Sequence, residues 1–150
     1  MDQDNDARPR DAERSQAQLL DAALAEFAEY GLAGARIDRI AQRANLNKRL
    51  IYYYFEDKER LFQAVLERAY AHIRTEESRQ AFNDLSPSDA IRRMVEFTWR
   101  YYLEHPEFLT LLNSANLHRA RHLKASESVQ TVNSPLVPTI ASILERGQKS

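Results

Sequence analysis

Apolar residues return at three- and four-residue steps along most of this chain, and no segment alternates convincingly enough to read as a strand. The first ten or so residues are polar, charged and aperiodic, which predicts a disordered arm over residues 1–11. From Ala12 onward Leu19, Leu20, Ala23, Leu24, Phe27 and Ala28 mark one face of a helix that stops at Tyr30-Gly31. Gly31 suits the left-handed position just past a helix end. A short second helix carries Ile37, Ile40, Ala41 and Ala44 on one face and ends at Asn45, a residue that tolerates positive φ. Asn47 is then placed as the N-cap of a third helix from Lys48 to about Phe55.

Beyond Asp57, a further N-cap, a long helix with Leu61, Phe62, Val65, Leu66, Ala69 and Ile73 is predicted to about Phe82. "NDLSPSD" interrupts it. Ser86 caps the next helix with Pro87 at its first position, and this helix runs to Glu104. His105-Pro106 breaks the pattern before the short helix of "EFLTLLNSANL". A polar stretch from His118 to about Ser126 precedes a last helix, roughly Val129 to Arg146, bent at Pro135 and Pro138. The expected fold class is all-α, with a three-helix lobe over 12–57 and a second helical lobe over 58–150.

Composition narrows the chemistry. At 150 residues, with 43% hydrophobic and 29% charged positions, the chain is an ordinary globular length. There is no cysteine, hence no disulfide framework and no thiolate chemistry. No apolar run approaches the roughly 18 residues of a membrane span, and "MDQDNDARPR" lacks a signal peptide's apolar core, so a cytoplasmic location is the default expectation. The net charge of −1 averages over strong sorting. Met1 to Tyr30 holds eight acids and three basic residues, whereas Arg36 to Arg49 holds five basic residues and one acid. A solvated helix face is the plain reading of such a cluster.

The spacing gives the cluster a second reading. Two short helices joined by a tight turn, the second capped and basic at its start, have the form of a helix–turn–helix. A recognition helix enters a major groove about 12 Å wide with its first turn leading, which is where Lys48 and Arg49 stand. The first helix of such a pair crosses the phosphate backbone, where Arg36 and Arg39 would lie.

At these residues the sequence resembles the TetR family of transcriptional repressors. "LLDAALAEFAEYGLAGARIDRIAQRANLNKRLIYYYFEDKERLFQAVL", Leu19 to Leu66, follows that family's N-terminal pattern without a gap. The match includes Phe27 and Gly31, Ile40-Ala41, the "YYYF" segment, Lys58-Glu59 and Leu61. The resemblance implies that Tyr52 and Lys58 contact phosphate and that Tyr53 faces the duplex beside Asn47, Lys48 and Arg49. Phe55, Leu50 and Ile51 would pack beneath, and Tyr54 would turn back as core or lobe interface. A solvated first-turn lysine is the competing reading of Lys58. The chain departs from the family at Ala35-Arg36, where hydroxyl residues usually cap the second helix, so that cap is expected to be weak. Asn45 replaces the usual turn glycine and Asn47 the usual serine cap, and both preserve the backbone geometry.

The same resemblance implies a second lobe for ligand binding and dimerisation, apparently truncated after "ILERGQKS". Trp99, Tyr102 and Phe108, with Leu112, Asn113 and Asn116, would give aromatic walls and orienting amides; plain core packing competes for all six. His118 and His122 have the i,i+4 spacing of helical metal ligands, but no acid joins them and arginines flank them, so no metal site is expected. Nothing converges as a nucleophile–base pair or a phosphate loop, so no enzyme and no cofactor are expected. The resulting expectation is a repressor that binds a palindromic double-stranded DNA operator as a homodimer and is released by a small-molecule effector. A helical protein-interaction module is the alternative, disfavoured by the cluster of Lys48, Arg49, Tyr52 and Tyr53 behind a tight turn.

Overall fold

A computed structural model describes residues 7–118 and 136–150. Its helices are α1 (Ala7–Gly34), α2 (Ile37–Ala44), α3 (Lys48–Phe55), α4 (Lys58–Ser78), α5 (Pro87–Glu104), α6 (Pro106–Leu117) and α7 (Leu136–Lys149). A 3-10 turn, Phe82–Asp84, lies between α4 and α5. The all-α expectation holds among the described residues. No helix among them is long and apolar enough to cross a membrane.

Several boundaries differ from the sequence expectation, including the end of α1, which continues past the Gly31 kink to Gly34. Helix α1 begins at Ala7, so residues 7–11 are helical rather than part of an arm. Helix α4 stops at Ser78, short of Phe82, and Phe82 belongs to the 3-10 turn instead. The chain divides into two compact units between Val65 and Leu66, inside α4 rather than before Lys58. A long helix can serve two cores in succession, and apolar periodicity does not register where one core ends. Residues 129–135 of the last predicted helix, with Pro135, lie outside the described residues, and α7 starts at Leu136.

In the first unit the apolar stripes meet. Leu19, Ala23 and Phe27 of α1, Ile40 and Ala41 of α2, Ile51 of α3, and Leu61 and Phe62 of α4 are all buried. The Phe27 and Phe62 rings meet edge to face at 5.0 Å between centroids, an arrangement favoured by the ring quadrupoles.

Local backbone chemistry turns the chain between these helices. Gly31 has φ 69 and ψ 178, a conformation open to glycine and costly for other residues. Asn45 closes α2 at φ 52, ψ 42. Its N–H donates to the Gln42 carbonyl and the Leu46 N–H to the Ala41 carbonyl, each at 3.1 Å, the paired bonds of a Schellman motif. Two residues later the Asn47 carboxamide oxygen accepts the Arg49 N–H at 2.9 Å and opens α3. At the far end Glu56 takes φ 71 and ψ −53, with the Asp57 N–H donating to the Phe55 carbonyl at 2.8 Å. That is a γ-turn of the strained, positive-φ kind. Asp57 then caps α4, its Oδ1 accepting the Arg60 N–H at 2.8 Å.

The second unit has its own interior. Phe108 of α6 sits among the rings of Tyr70, Tyr101 and Tyr102 at 5.4 to 6.0 Å. Phe82, Ala90 and Ile143 form a further buried cluster with Leu85, Ile91 and Met94 packed against it. Arg146 fastens α7 there by donating to the carbonyls of Leu85 (2.8 Å) and Phe82 (3.3 Å). As expected, Ser86 caps α5, its Oγ accepting the Asp89 N–H, with Pro87 opening the helix.

The turn between α2 and α3 generates a direct test. Asn45→Ala is expected to cost about 1 kcal/mol because its φ is positive, whereas Asn45→Gly should stay within a few tenths. Asn47→Ala should cost about 1 kcal/mol through loss of the cap. Urea unfolding midpoints of the three variants measure this, and equal losses for alanine and glycine at position 45 would refute the left-handed assignment.

Candidate nucleic-acid interface

Residues on a helix advance by about 100° each, so once Ile51 is fixed in the core the rest of α3 is oriented. Ile51 is fully buried. Lys48 and Arg49 are exposed at the start of the helix, and Tyr52 and Tyr53 follow at 51% and 79% exposure. Tyr54 is half-buried, its ring edge against Tyr53 and Phe55. Leu50 and Phe55 are half-buried as well. The tyrosine run therefore splits: two rings reach solvent and one turns back.

The charged residues do not share one fate. Glu26 of α1 is fully buried, and one of its carboxylate oxygens accepts both the Arg36 backbone N–H at 3.0 Å and the Arg39 Nε–H at 2.7 Å. Its other oxygen accepts the Arg43 Nε–H at 3.2 Å. Arg39 also donates to the Gly34 carbonyl at 2.7 Å and lies 4.0 Å over the Tyr30 ring. Arg43 reaches the Glu29 carboxylate in addition. Arg39, expected against phosphate, is thus tied to α1 with about a third of its side chain exposed (35%), because a buried carboxylate draws the nearest cations.

Arg36 keeps an exposed side chain, and the cap of α2 lacks a side-chain hydrogen bond from residue 36, as its sequence implied. Lys48 Nζ stands 3.4 Å from Asp38 Oδ1, an exposed pair of little energetic weight. Lys58 is half-buried and donates to the carbonyls of Ala35 (3.2 Å) and Ala33 (3.5 Å), tying the start of α4 to the segment before α2. What remains outward is a first turn of α3 bearing Lys48, Arg49, Tyr52 and Tyr53, with Arg36 at the head of α2.

The second unit carries a cavity of about 440 Å³ lined by His72, Glu76 and Gln80 of the α4 side and by Phe97, Arg100, Tyr101, Glu104 and His105 of the α5 side. Tyr101 Oη is 2.7 Å from His72 Nδ1, and the Tyr101 and His105 ring centroids are 4.3 Å apart. Burial, then the Glu107 and Glu76 carboxylates, push the Tyr101 hydroxyl up to about 12, against a smaller opposing effect of Arg74. It is therefore a neutral hydroxyl at ordinary pH.

None of the six residues expected to form a pocket lines this cavity. Phe108 is spent in the aromatic interior, Trp99 is 68% exposed, and Asn113 and Asn116 are exposed. Tyr102 stacks on Phe108, and Leu112 is half-buried. The signal that would have found the lining was the polar i,i+4 row of His72 and Glu76 on α4, continued by Gln80 just past its end. Of the histidine pair, His118 is half-buried and His122 lies outside the described residues.

Comparison with known proteins follows the same division. Residues 19–65 match the family model of bacterial regulatory proteins of the tetR family, and residues 87–150 match a tetracyclin repressor-like C-terminal domain. The chain is 38% identical over 141 residues to the HTH-type transcriptional repressor NicS of Pseudomonas putida, covering 94% of this chain and 66% of that protein. It is 42% identical over 103 residues to an HTH-type transcriptional repressor of Streptomyces coelicolor, covering 69% of this chain and 50% of that one. The chain thus spans about one half to two thirds of these relatives' length. A crystal structure of a TetR-like regulator from Rhodococcus superposes with a TM-score of 0.73 at 27% identity, covering 90% of this chain and 72% of that one.

The ion pairs of α1 and α2 predict an acid response. Arg43's hydrogen bond holds the Glu29 carboxyl below the ordinary glutamate range. A lowered folded-state pKa stabilises the fold above the unfolded value and loses that stabilisation as pH falls through the folded one. Urea midpoints should decline between about pH 6 and about pH 3, and Glu29→Gln should flatten part of that decline. An unchanged acid limb in the variant would rule out the Glu29 contribution.

Proposed function

As a member of the TetR family of bacterial transcriptional regulators, this chain is, we propose, the core of a repressor that binds a palindromic DNA operator as a homodimer and is released by a small-molecule effector. The observation that carries the reading is the outward first turn of α3, with Lys48, Arg49, Tyr52 and Tyr53 exposed behind a capped turn. Lys48 and Arg49 supply base-edge contacts in the major groove. The Tyr52 hydroxyl, the Asn47 amide, Arg36 and the remaining N–H of Lys58 supply phosphate contacts, which orient the protein without reading sequence. Two relatives that are transcriptional repressors support the sign of regulation.

Two features of the second unit support the rest. The cavity beside Tyr101 combines two imidazoles, two carboxylates, a guanidinium and two rings, a lining suited to a small polar effector with an aromatic part. Helix α5 leaves Val95, Trp99 and Leu103 exposed at four-residue spacing, an apolar stripe of the sort that a second subunit covers. Binding chemistry at both places needs no catalytic group, and a non-enzymatic role fits the regulatory relatives.

Selection of duplexes from a random pool, followed by electrophoretic shift, tests the DNA reading. Arg49→Ala should cost about 1–3 kcal/mol and relax preference at one base pair of each half-site, while Tyr52→Phe should weaken all duplexes alike. A chain that enriches no palindrome at moderate salt would refute it. Tyr101→Phe should raise the effector concentration needed for release several-fold with operator affinity intact; an unchanged effector midpoint would move the effector site elsewhere.

A further inference from the structure

We infer that Glu26 is a positioning residue for the DNA-binding face, and this rests on the DNA-binding reading above. In an ordinary capping box the carboxylate of the third helical residue reaches back to the N-cap N–H. Here the N-cap of α2 is Arg36, extended at φ −127, ψ 131 and without a side-chain cap, and the third helical residue is Arg39, of opposite charge. The carboxylate arrives instead from α1. Glu26 accepts the Arg36 N–H and the Arg39 Nε–H on one oxygen and the Arg43 Nε–H on the other. The box is rebuilt through space, with the residue at its usual acidic place acting as the clamp on a borrowed acid.

Two consequences follow for DNA. Helix α2 is seated against α1 by a buried charge that has to stay paired, so the angle at which α2 presents Arg36 and hands the chain to α3 depends on Glu26. The same carboxylate restrains and partly neutralises Arg39 and Arg43, two of the five basic residues between Arg36 and Arg49, although each keeps 35% of its side chain exposed. Fewer mobile cations mean less sequence-independent attraction to phosphate, and base contacts then decide more of the affinity.

Three variants of the 150-residue chain test this: Glu26→Gln, Arg39→Glu, and Glu26→Leu combined with Arg39→Glu. The glutamine keeps an acceptor for the Arg36 N–H but removes the charge that pairs with both guanidinium groups, leaving Arg39 its Gly34 carbonyl and Tyr30 ring and Arg43 its Glu29 carboxylate. At temperatures where it is folded, it should bind the duplex enriched by the wild type at least about tenfold more weakly. Its binding to a random duplex should steepen in salt dependence by about 1 in log–log slope, because a neutral residue 26 no longer offsets the positive charge of Arg39 and Arg43. A residue that acted only on stability would leave both readouts of the folded fraction unchanged, and that result overturns the proposal. Arg39→Glu should destabilise the wild type by placing two carboxylates together, yet raise stability and Arg36 amide protection in the Glu26→Leu background, where it restores a local box. Equal harm in both backgrounds also overturns it. Should the wild type enrich no duplex, the DNA reading and the positioning role fall together, while the reversal of sign at residue 39 still decides whether Glu26 caps α2.

Discussion

A carboxylate with no exposure to water has to be matched, since an unpaired buried charge costs several kcal/mol. Glu26 meets that demand with one backbone N–H and two guanidinium groups, all from α2 or its N-cap. Arg39 and Arg43 lie four residues apart and therefore on one face, the face that has to turn toward α1. Asp38 and Gln42 are exposed, and the apolar residues Ile40 and Ala41 fall into the core. The seating of α2 is thereby set by charge as much as by apolar packing.

From α2 the orientation passes to α3 through a connection too short to swivel. Asn45, Leu46 and Asn47 contribute a left-handed residue, a Schellman bond and an N-cap in immediate succession. With Ile51 buried beneath, the 100° step per residue leaves Lys48, Arg49, Tyr52 and Tyr53 outward and Tyr54 partly covered. At the exit, the strained Glu56 turn and the Asp57 cap redirect the chain into α4 within two residues. Strain of this kind persists only where the surrounding packing over-determines it, and the buried Leu61 and Phe62 just beyond supply that packing.

The second unit inverts a common expectation about pockets. Tyr70, Tyr101 and Tyr102 pack around Phe108 in its interior, while its cavity is walled largely by polar groups from α4 and α5 beside Phe97 and Tyr101. Tyr101 belongs to both, ring inside and hydroxyl on His72. A buried ring with a polar tip is the usual way to join a core to a wet site.

Sequence by itself determined the helices, their caps and the recognition turn, because these rest on interactions between residues a few positions apart. Asn45, Asn47, Asp57 and Ser86 each act on backbone within about one turn, and each was legible. The tyrosine run was legible too, since helical rotation alone separates its three rings. Tertiary structure decided which charges remain free for a partner and where the second unit opens. Glu26 meets Arg36, Arg39 and Arg43 across 10, 13 and 17 residues, and the cavity brings α4 against α5. Pairings at those separations, and at the 29 residues between His72 and Tyr101, depend on how two helices pack, and no local periodicity encodes that choice.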